Sequence, residues 1–344
     1  MTYALVTDSA CSLSHTLCNE LGLAVLPLNY YVDEVEHPGF FKDRPVVLKG
    51  FYQSMRNGSS VRTSLPNPKE TRETLVELLE QGKDLLYLGF SSALSGTYDS
   101  VHHICERLQE EYPQRRIVCV ETIAASFGQG LLVKQAALMK RAGAKLDDVV
   151  SWIEDNRMKA AHWITVDDLR YVLGGGRLAR TGALAANLLK LKPVMRIDEN
   201  GAVDVVHKTR GRKKSLKGMA DKLRETFDPS ISDEVVVAHA DCIEDAQAVK
   251  EMIEQERTAE ISTRMDGDSE ILLYRNTKPS ASSELYGIAL TGLDGLFYKI
   301  SIFTGADEAF GDDAPVWSIA EAIGQTVMHQ DFSEWGVEGA PDFS

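Results

Sequence analysis

The stretch Leu85-Leu86-Tyr87-Leu88-Gly89-Phe90, continuing directly into Ser91-Ser92-Ala93-Leu94-Ser95-Gly96-Thr97-Tyr98, sets the fold class of this 344-residue chain. Its first six residues form an apolar run of the kind that buries both faces of a parallel strand. The residues after it are hydroxyl-bearing or small apart from Leu94, and a helical pattern runs on to about Glu111. Strand, polar turn and helix in this order make half of a βαβ unit. The turn gathers hydroxyl donors, free backbone N–H groups and the positive end of a helix, a combination that suits an anion. A second turn, Thr63-Ser64-Leu65-Pro66-Asn67-Pro68, stands before another helical pattern and offers matching hydroxyls. Neither turn carries Lys, Arg or a metal ligand, so a carboxylate fits better than a triphosphate. The same residue types also cap helices and form turns, and at this level both readings stand.

Outward from this stretch, apolar runs alternate with helical patterns. Strands are expected at 3–7, 23–32, 85–90, 117–121, 161–166 and 234–239, and helices at 13–21, 69–81, 97–111, 129–142, 146–159, 181–191, 213–226 and 243–254. This rhythm predicts an α/β protein with a mostly parallel sheet. It changes at Pro193–Val206, where two apolar runs flank Asp198-Glu199-Asn200-Gly201. Asn-Gly predicts a β-hairpin closed by a tight primed turn. A domain boundary is expected near 158–162.

Composition bounds the function. An apolar fraction of 44% and a charged fraction of 26% are ordinary for a soluble fold. The net charge is −14, and residues 301–344 contribute nine Asp and Glu with no Lys or Arg. That balance argues against nonspecific nucleic-acid binding, which needs cations to neutralise phosphates. Cysteines 11, 18, 105, 119 and 242 show neither CxxC nor metal-ligand spacing and read as reduced thiols of a cytoplasmic protein. Tyr3-Ala4-Leu5-Val6-Thr7 opens the chain as a strand, with no basic leader and no membrane-length apolar span.

Enzymatic motifs find little support. Ser91-Ser92-Ala93-Leu94-Ser95-Gly96 lacks the leading glycine of a G-x-S-x-G nucleophile elbow. His102 and His103 are adjacent, about 100° apart on a helix, rather than at the i, i+4 spacing of metal ligands. Gly174-Gly175-Gly176-Arg177 is not followed by the G-K-[ST] of a phosphate loop, and Thr7–Ser12 occupies the turn where G-x-G-x-x-G would stand. His239-Ala240-Asp241 ends an expected strand, where the imidazole can serve a backbone carbonyl. Asp8 and Ser9 lie at the carboxyl end of the first strand, where open α/β sheets place ligands; either can equally cap the helix that comes next. Lys208, Arg210, Arg212, Lys213, Lys214 and Lys217 put six cations within ten residues of an otherwise acidic chain. Such a run suits a solvated helix start, or a surface that steers an acidic partner.

Several blocks, in order and spacing, resemble the DegV family of bacterial fatty-acid-binding proteins that serve a fatty acid kinase. They are Val6-Thr7-Asp8-Ser9, Thr63-Ser64-Leu65-Pro66, Ser91–Thr97, Ala125-Ser126-Phe127-Gly128-Gln129-Gly130, Asp168–Leu178, Arg210-Gly211-Arg212-Lys213-Lys214 and Ala238-His239-Ala240-Asp241. The match extends to about residue 255. The resemblance implies a two-domain α/β fold: an N-terminal domain at 1–160 with a mostly parallel sheet, a lipid-binding domain at 161–300 containing the hairpin, and an acidic extension at 301–344. It implies a carrier rather than an enzyme, without cofactor or metal, that presents the carboxylate of a long-chain fatty acid to the kinase. Thr63 and Ser92 would hold that carboxylate, with Ser64, Ser95 and Gly96 beside them. Arg210, Arg212 and Lys213 would dock the kinase subunit. Burying about fourteen methylenes at ~0.8 kcal/mol each amounts to on the order of 11 kcal/mol before association costs, against ~1–3 kcal/mol for each hydroxyl bond. An apolar tunnel, with helix 181–191 as a candidate wall, would therefore supply affinity and the hydroxyls orientation. The family's His-x-Gly-Pro-Gly element has only Leu290-Thr291-Gly292-Leu293-Asp294-Gly295 as its counterpart here, with leucine in place of the histidine expected beside the carboxylate. The alternatives are a phosphotransfer or hydrolytic enzyme on the same scaffold, and a pure interaction protein.

Overall fold

The computed structural model describes residues 2–169, 191–228 and 235–254, together with the backbone of strands 261–266, 269–274, 285–291 and 297–303. By contact the chain divides into two compact units, 1–227 with 238–253, and 228–237 with 254–344.

The first unit opens with β1 (Tyr3–Asp8), α1 (His15–Glu20), β2 (Leu23–Leu26), β3 (Asn29–Val32), β4 (Val35–Pro38), α2 (Lys49–Arg56), β5 (Val61–Thr63) and α3 (Pro68–Glu80). It continues with β6 (Asp84–Gly89), α4 (Thr97–Glu111), β7 (Ile117–Glu121), α5 (Ser126–Arg141) and α6 (Leu146–Asn156). Then come β8 (Trp163–Thr165), β9 (Val194–Ile197), β10 (Val203–His207), α7 (Arg212–Thr226) and α8 (Ile243–Glu254).

Strands β2-β1-β6-β7 form one parallel sheet in that order, with Val6 opposite Tyr87 and Tyr87 opposite Cys119. Every residue of β1 and β6 is buried, because helices cover both faces. Leu85 and Tyr87 point to a layer shared with Leu75 and Leu79 of α3 and Val101 and Leu108 of α4. Leu86 and Leu88 point the other way, to Leu132 and Ala136 of α5 and Ile153 of α6. Each such fully buried leucine contributes about 1.5–3 kcal/mol, which makes this layered sheet the rigid platform for everything at its carboxyl edge.

The expected strand 23–32 is two strands in two sheets. Pro27 interrupts it, since a proline has no N–H for a central ladder. Beyond it β3 turns into a small antiparallel sheet of order β4-β3-β5. The two residues between β3 and β4, Asp33 and Glu34, both have positive φ (48° and 68°). They make a two-residue primed turn without glycine, held by Asp33, whose Oδ1 accepts from Ser60 N at 2.9 Å. A second antiparallel sheet, β10-β9-β8, is backed by α7. Residue 160 lies inside the first unit, where parallel sheet gives way to antiparallel.

The turn between β9 and β10 corrects the expected primed geometry. Only Gly201 has positive φ (78°), Gly201 N donates to Asp198 O at 3.0 Å, and Asp198 Oδ1 accepts from Asn200 N and Ala202 N. This is an ordinary turn followed by a left-handed glycine, the three-residue loop rather than the two-residue one. The expected strand at 234–239 is also not seen among the described residues: 235–239 belong to no strand or helix. Helix 181–191 lies, up to residue 190, outside the described residues, as do Gly174–Arg177 and the acidic segment from 304. In the second unit β11 (Ile261–Asp266) pairs antiparallel with β12 (Ser269–Tyr274), and β13 (Leu285–Thr291) with β14 (Phe297–Phe303), Leu290 standing opposite Tyr298.

Candidate functional site

The carboxyl ends of β1, β6 and β7 meet at a cluster of hydroxyls and one buried carboxyl. Asp8 is fully buried and accepts four hydrogen bonds: from Ala10 N (3.1 Å) to Oδ1, and from Tyr87 Oη (2.9 Å), Phe90 N (3.1 Å) and Gln129 Nε2 (3.3 Å) to Oδ2. Burial raises its pKa above the ordinary aspartate value, and these four donors pull the other way. Ser9 Oγ accepts from Leu28 N at 2.9 Å. Both residues thus lock the strand ends, Asp8 as the cap of the short 3₁₀ turn Ser9–Cys11.

Within the 91–97 turn the hydroxyls have separate tasks. Ser91 is buried and donates to Gly201 O at 2.8 Å, so the tip of the β9–β10 hairpin is seated on the parallel sheet's edge. A methyl placed on Gly201 would collide with Ser91 Oγ, so only glycine fits there by contact as well as by φ. Ser95 Oγ accepts from Thr97 N at 3.3 Å and pairs with Thr97 Oγ1 at 2.9 Å, capping α4 where Gly96 has no side chain to do so. Ser92 is exposed, and both its N–H and its Oγ–H donate to Glu121 Oε1, at 2.7 and 2.8 Å. The second turn divides similarly. Asn67 caps α3 by accepting from Lys69 N and Glu70 N. Thr63, at the end of edge strand β5, is exposed and Ser64 half-buried, and neither hydroxyl has a hydrogen-bond partner among the described residues. The two turns are neighbours, since a methyl on Gly96 would sit 3.8 Å from Leu65 Cδ1.

Backbone strain concentrates beside these turns. Ile123 has φ 53° and Ser126 φ 50°; positive φ in a β-branched residue is a true outlier, and such strain gathers at ligand clamps and switch regions. The segment is held by Thr122 Oγ1 donating to Gly89 O at 2.8 Å and Ser91 N donating to Ala124 O at 3.0 Å. Ser126 Oγ lies 3.0 Å from Ser12 Oγ. Behind it, the His162 ring rests on Gly128, and its Nε2 is buried without a hydrogen-bond partner among the described residues. Burial pushes this imidazole down to about 4, only partly offset by the backbone of Ala160 and Ala125. Glu121, Ile123 and His162 carry no sequence signal of their own, and Gly201 signals only its turn; each enters the site through contacts distant in the chain.

The basic run surrounds a cleft of about 500 Å³ where β10 ends and α7 begins, lined among others by Lys208, Arg210, Lys214, Lys217 and Asp221. Lys217 pairs with Asp221 (2.8 Å) and Arg212 turns inward to Asp245 of α8 (2.6 Å). Arg210, Lys213 and Lys214 are exposed, with no ion pair among the described residues. Arg212 is therefore a tie between helices, whereas Arg210 and Lys213 face solvent along with Lys208, Lys214 and Lys217. His102 and His103 both lean on Glu106 (3.6 and 3.3 Å), and no group of His, Cys, Asp and Glu fit to hold a metal occurs among the described residues. His239 accepts from Cys242 N at 3.3 Å rather than donating to a carbonyl. No helix among the described residues is long and apolar enough to cross a membrane.

Comparison with known proteins agrees with this architecture. A DegV domain-containing protein of Clostridium perfringens is 38% identical over 253 residues, covering 74% of this chain and 87% of that one. Among solved structures, a fatty-acid-binding DegV family protein of Streptococcus agalactiae superposes with TM-score 0.65 at 27% identity, over 74% of this chain and 88% of that one. A DegV family protein of Thermus thermophilus, described for its fatty acid binding, gives TM-score 0.58 at 29% identity over 65% and 78%. The model of the family, whose members are described as uncharacterised proteins, matches residues 2–274, past the point near 255 where the sequence blocks end. With the model spanning the parallel sheet, both hydroxyl turns and the hairpin seated on them, this chain belongs to the DegV family.

Proposed function

We propose that this protein is a carrier that binds a long-chain fatty acid and presents its carboxylate to a fatty acid kinase subunit. The observation that carries the reading is at Ser92, whose N–H and Oγ–H already hold a carboxylate, that of Glu121, at 2.7 and 2.8 Å. The turn is thus built to donate to this chemical group, and no residue of the turn itself is a cation that would attract a phosphate in its place. Thr63, whose hydroxyl has no partner among the described residues, supplies a second donor on the neighbouring turn, and Ser64, Ser95 and the Gly96 backbone complete the cradle. Fatty acid binding by the Streptococcus and Thermus relatives supports the choice of ligand. All five cysteines are free thiols, as a reducing cytoplasm would leave them.

Organic extraction of the purified protein followed by mass spectrometry is expected to return a stoichiometric fatty acid; its consistent absence would favour an enzyme or an empty interaction module. Thr63→Ala and Ser92→Ala are expected to keep the fold and the lipid, while kinase-dependent acyl phosphate formation falls about tenfold or more, the loss of one bond to a charged group being ~1.5–3 kcal/mol. Unaltered turnover in both variants would remove these residues from the head-group site.

The kinase would dock on the face bearing Arg210 and Lys213, with Lys214 beside them. In a protein of net charge −14 such a face selects an acidic partner by steering. Replacing Arg210 and Lys213 together with Glu is expected to slow transfer about tenfold at low ionic strength and to flatten its salt dependence, with lipid content unchanged. Arg212 is left in place because of its pair with Asp245. Loss of lipid without a change in transfer kinetics would assign this face to the ligand instead.

A further inference from the structure

Resting on the head-group reading above, we propose that Glu121 is a specificity-determining residue of the same site: an internal carboxylate that holds the Ser92 donors and must be displaced by the incoming acid. The geometry is unambiguous about the conflict. Ser92 has one hydroxyl proton and one amide proton, and both point at Glu121 Oε1. A fatty acid carboxylate cannot receive either while Glu121 keeps them, and two carboxylates at one donor pair repel.

The surroundings permit exchange by side-chain motion alone. The main chain at residue 121 is fixed on both sides, by pairing of Gly89 with Glu121 in the parallel sheet and by Arg157 Nη1, which donates to Glu121 O at 2.7 Å. The side chain is at a strand's carboxyl end, half-buried, and Ser92 is exposed, so the displaced carboxylate can pass into water. Exchange of one carboxylate for another also has a functional sense. An emptied cradle would leave two unpaired donors, whereas Glu121 refills it as the ligand departs. Glu121 thereby lowers the affinity for the acid head group and eases its release, without touching the part of the affinity that comes from burying the acyl chain. The residue tunes discrimination between an ionised head group and a neutral one of the same chain length.

The test compares laurate with dodecanol, titrated calorimetrically into the delipidated full-length protein at pH 8. The measured quantity is the affinity for laurate divided by that for dodecanol. Glu121→Gln keeps an acceptor for Ser92 but removes the charge, and Glu121→Ala frees both donors. Both are expected to raise the ratio, by about tenfold or more, the range of one hydrogen bond to a charged group, while Ser92→Ala lowers it. An unchanged or reduced ratio in both Glu121 variants, with Ser92→Ala still lowering it, overturns the role of Glu121 and leaves the head group at Ser92. A ratio that none of the three variants moves overturns the head-group assignment itself. Because each variant is judged on a ratio of two ligands, a general loss of stability affects both terms and does not imitate the result.

Discussion

Asp8→Ala is expected to destabilise the protein by about 3–5 kcal/mol, the largest effect of any single side chain at the sheet's edge. The carboxyl is fully buried, and its removal orphans Tyr87 Oη, Phe90 N and Ala10 N together, while Gln129 Nε2 keeps Thr7 Oγ1 and the Leu88 carbonyl as acceptors. Each buried donor left without a partner costs ~1–3 kcal/mol, although partial relaxation keeps the sum below the arithmetic total. Asp8→Asn is far milder, at about 1 kcal/mol. Its amide oxygen can take the place of Oδ2 and keep three donors, losing only the cap on Ala10. Urea unfolding followed by circular dichroism measures both. A cost below about 1 kcal/mol for the alanine variant would mean that water replaces the carboxyl, and that the pocket is wetter than its burial indicates.

Acid sensitivity around His162 is the second large effect. Its imidazole has its pKa lowered from 6.5 to about 4 by burial against Gly128. Between these values the unfolded chain binds a proton that the folded chain refuses. The stability this residue allows is therefore fully present above pH 6.5 and lost progressively as the pH falls towards 4, by ~1.4 kcal/mol per unit and on the order of 3 kcal/mol in all. Asp8 acts with the opposite sign. Its raised pKa means that the folded state holds a proton the unfolded chain gives up, so its contribution declines as pH rises above the ordinary aspartate value. The two are separated by comparing the wild type with His162→Gln at each pH. The expected difference between them narrows as the pH falls from 7 to 4.5, because only the wild type carries the imidazole. Parallel pH profiles for the two proteins would show that His162 titrates in the fold as it does in the unfolded chain.

The parallel layer was legible because its signals are local and agree with one another. Apolar runs at 85–90 and 117–121 and helical periodicity at 97–111 needed no tertiary information, and the observed elements fall at Asp84–Gly89, Ile117–Glu121 and Thr97–Glu111. The small sheet of β3, β4 and β5 was not legible. Its strands are short and half-exposed, and its tight turn uses Asp33-Glu34, a pair without the glycine that marks such turns. Asn200-Gly201 had that signature and folded otherwise, since Gly201 must meet Ser91 and only its own φ is left-handed. Ser92 was readable as a donor from its place after a strand. Its partner was not, because Glu121 lies 29 residues away and becomes a neighbour only through β6–β7 pairing. Arg212 looked like its basic neighbours in sequence; the ion pair with Asp245, 33 residues on, gives it a different task.

The seating of Gly201 on Ser91 has a consequence for how sequences of this kind can vary. Hairpin tips are ordinarily where chains absorb insertions and deletions, because nothing beyond them depends on their reach. Here the loop from Asp198 to Gly201 works as a spacer of fixed length. One residue more or fewer would carry the Gly201 carbonyl away from the Ser91 hydroxyl and leave a buried donor empty. Length polymorphism in this protein should then collect in the β3–β4 turn, whose residues at 33 and 34 are exposed, and be purged from the β9–β10 turn. A library of random one- and two-residue insertions, selected for soluble expression, would recover survivors at the first turn and few at the second.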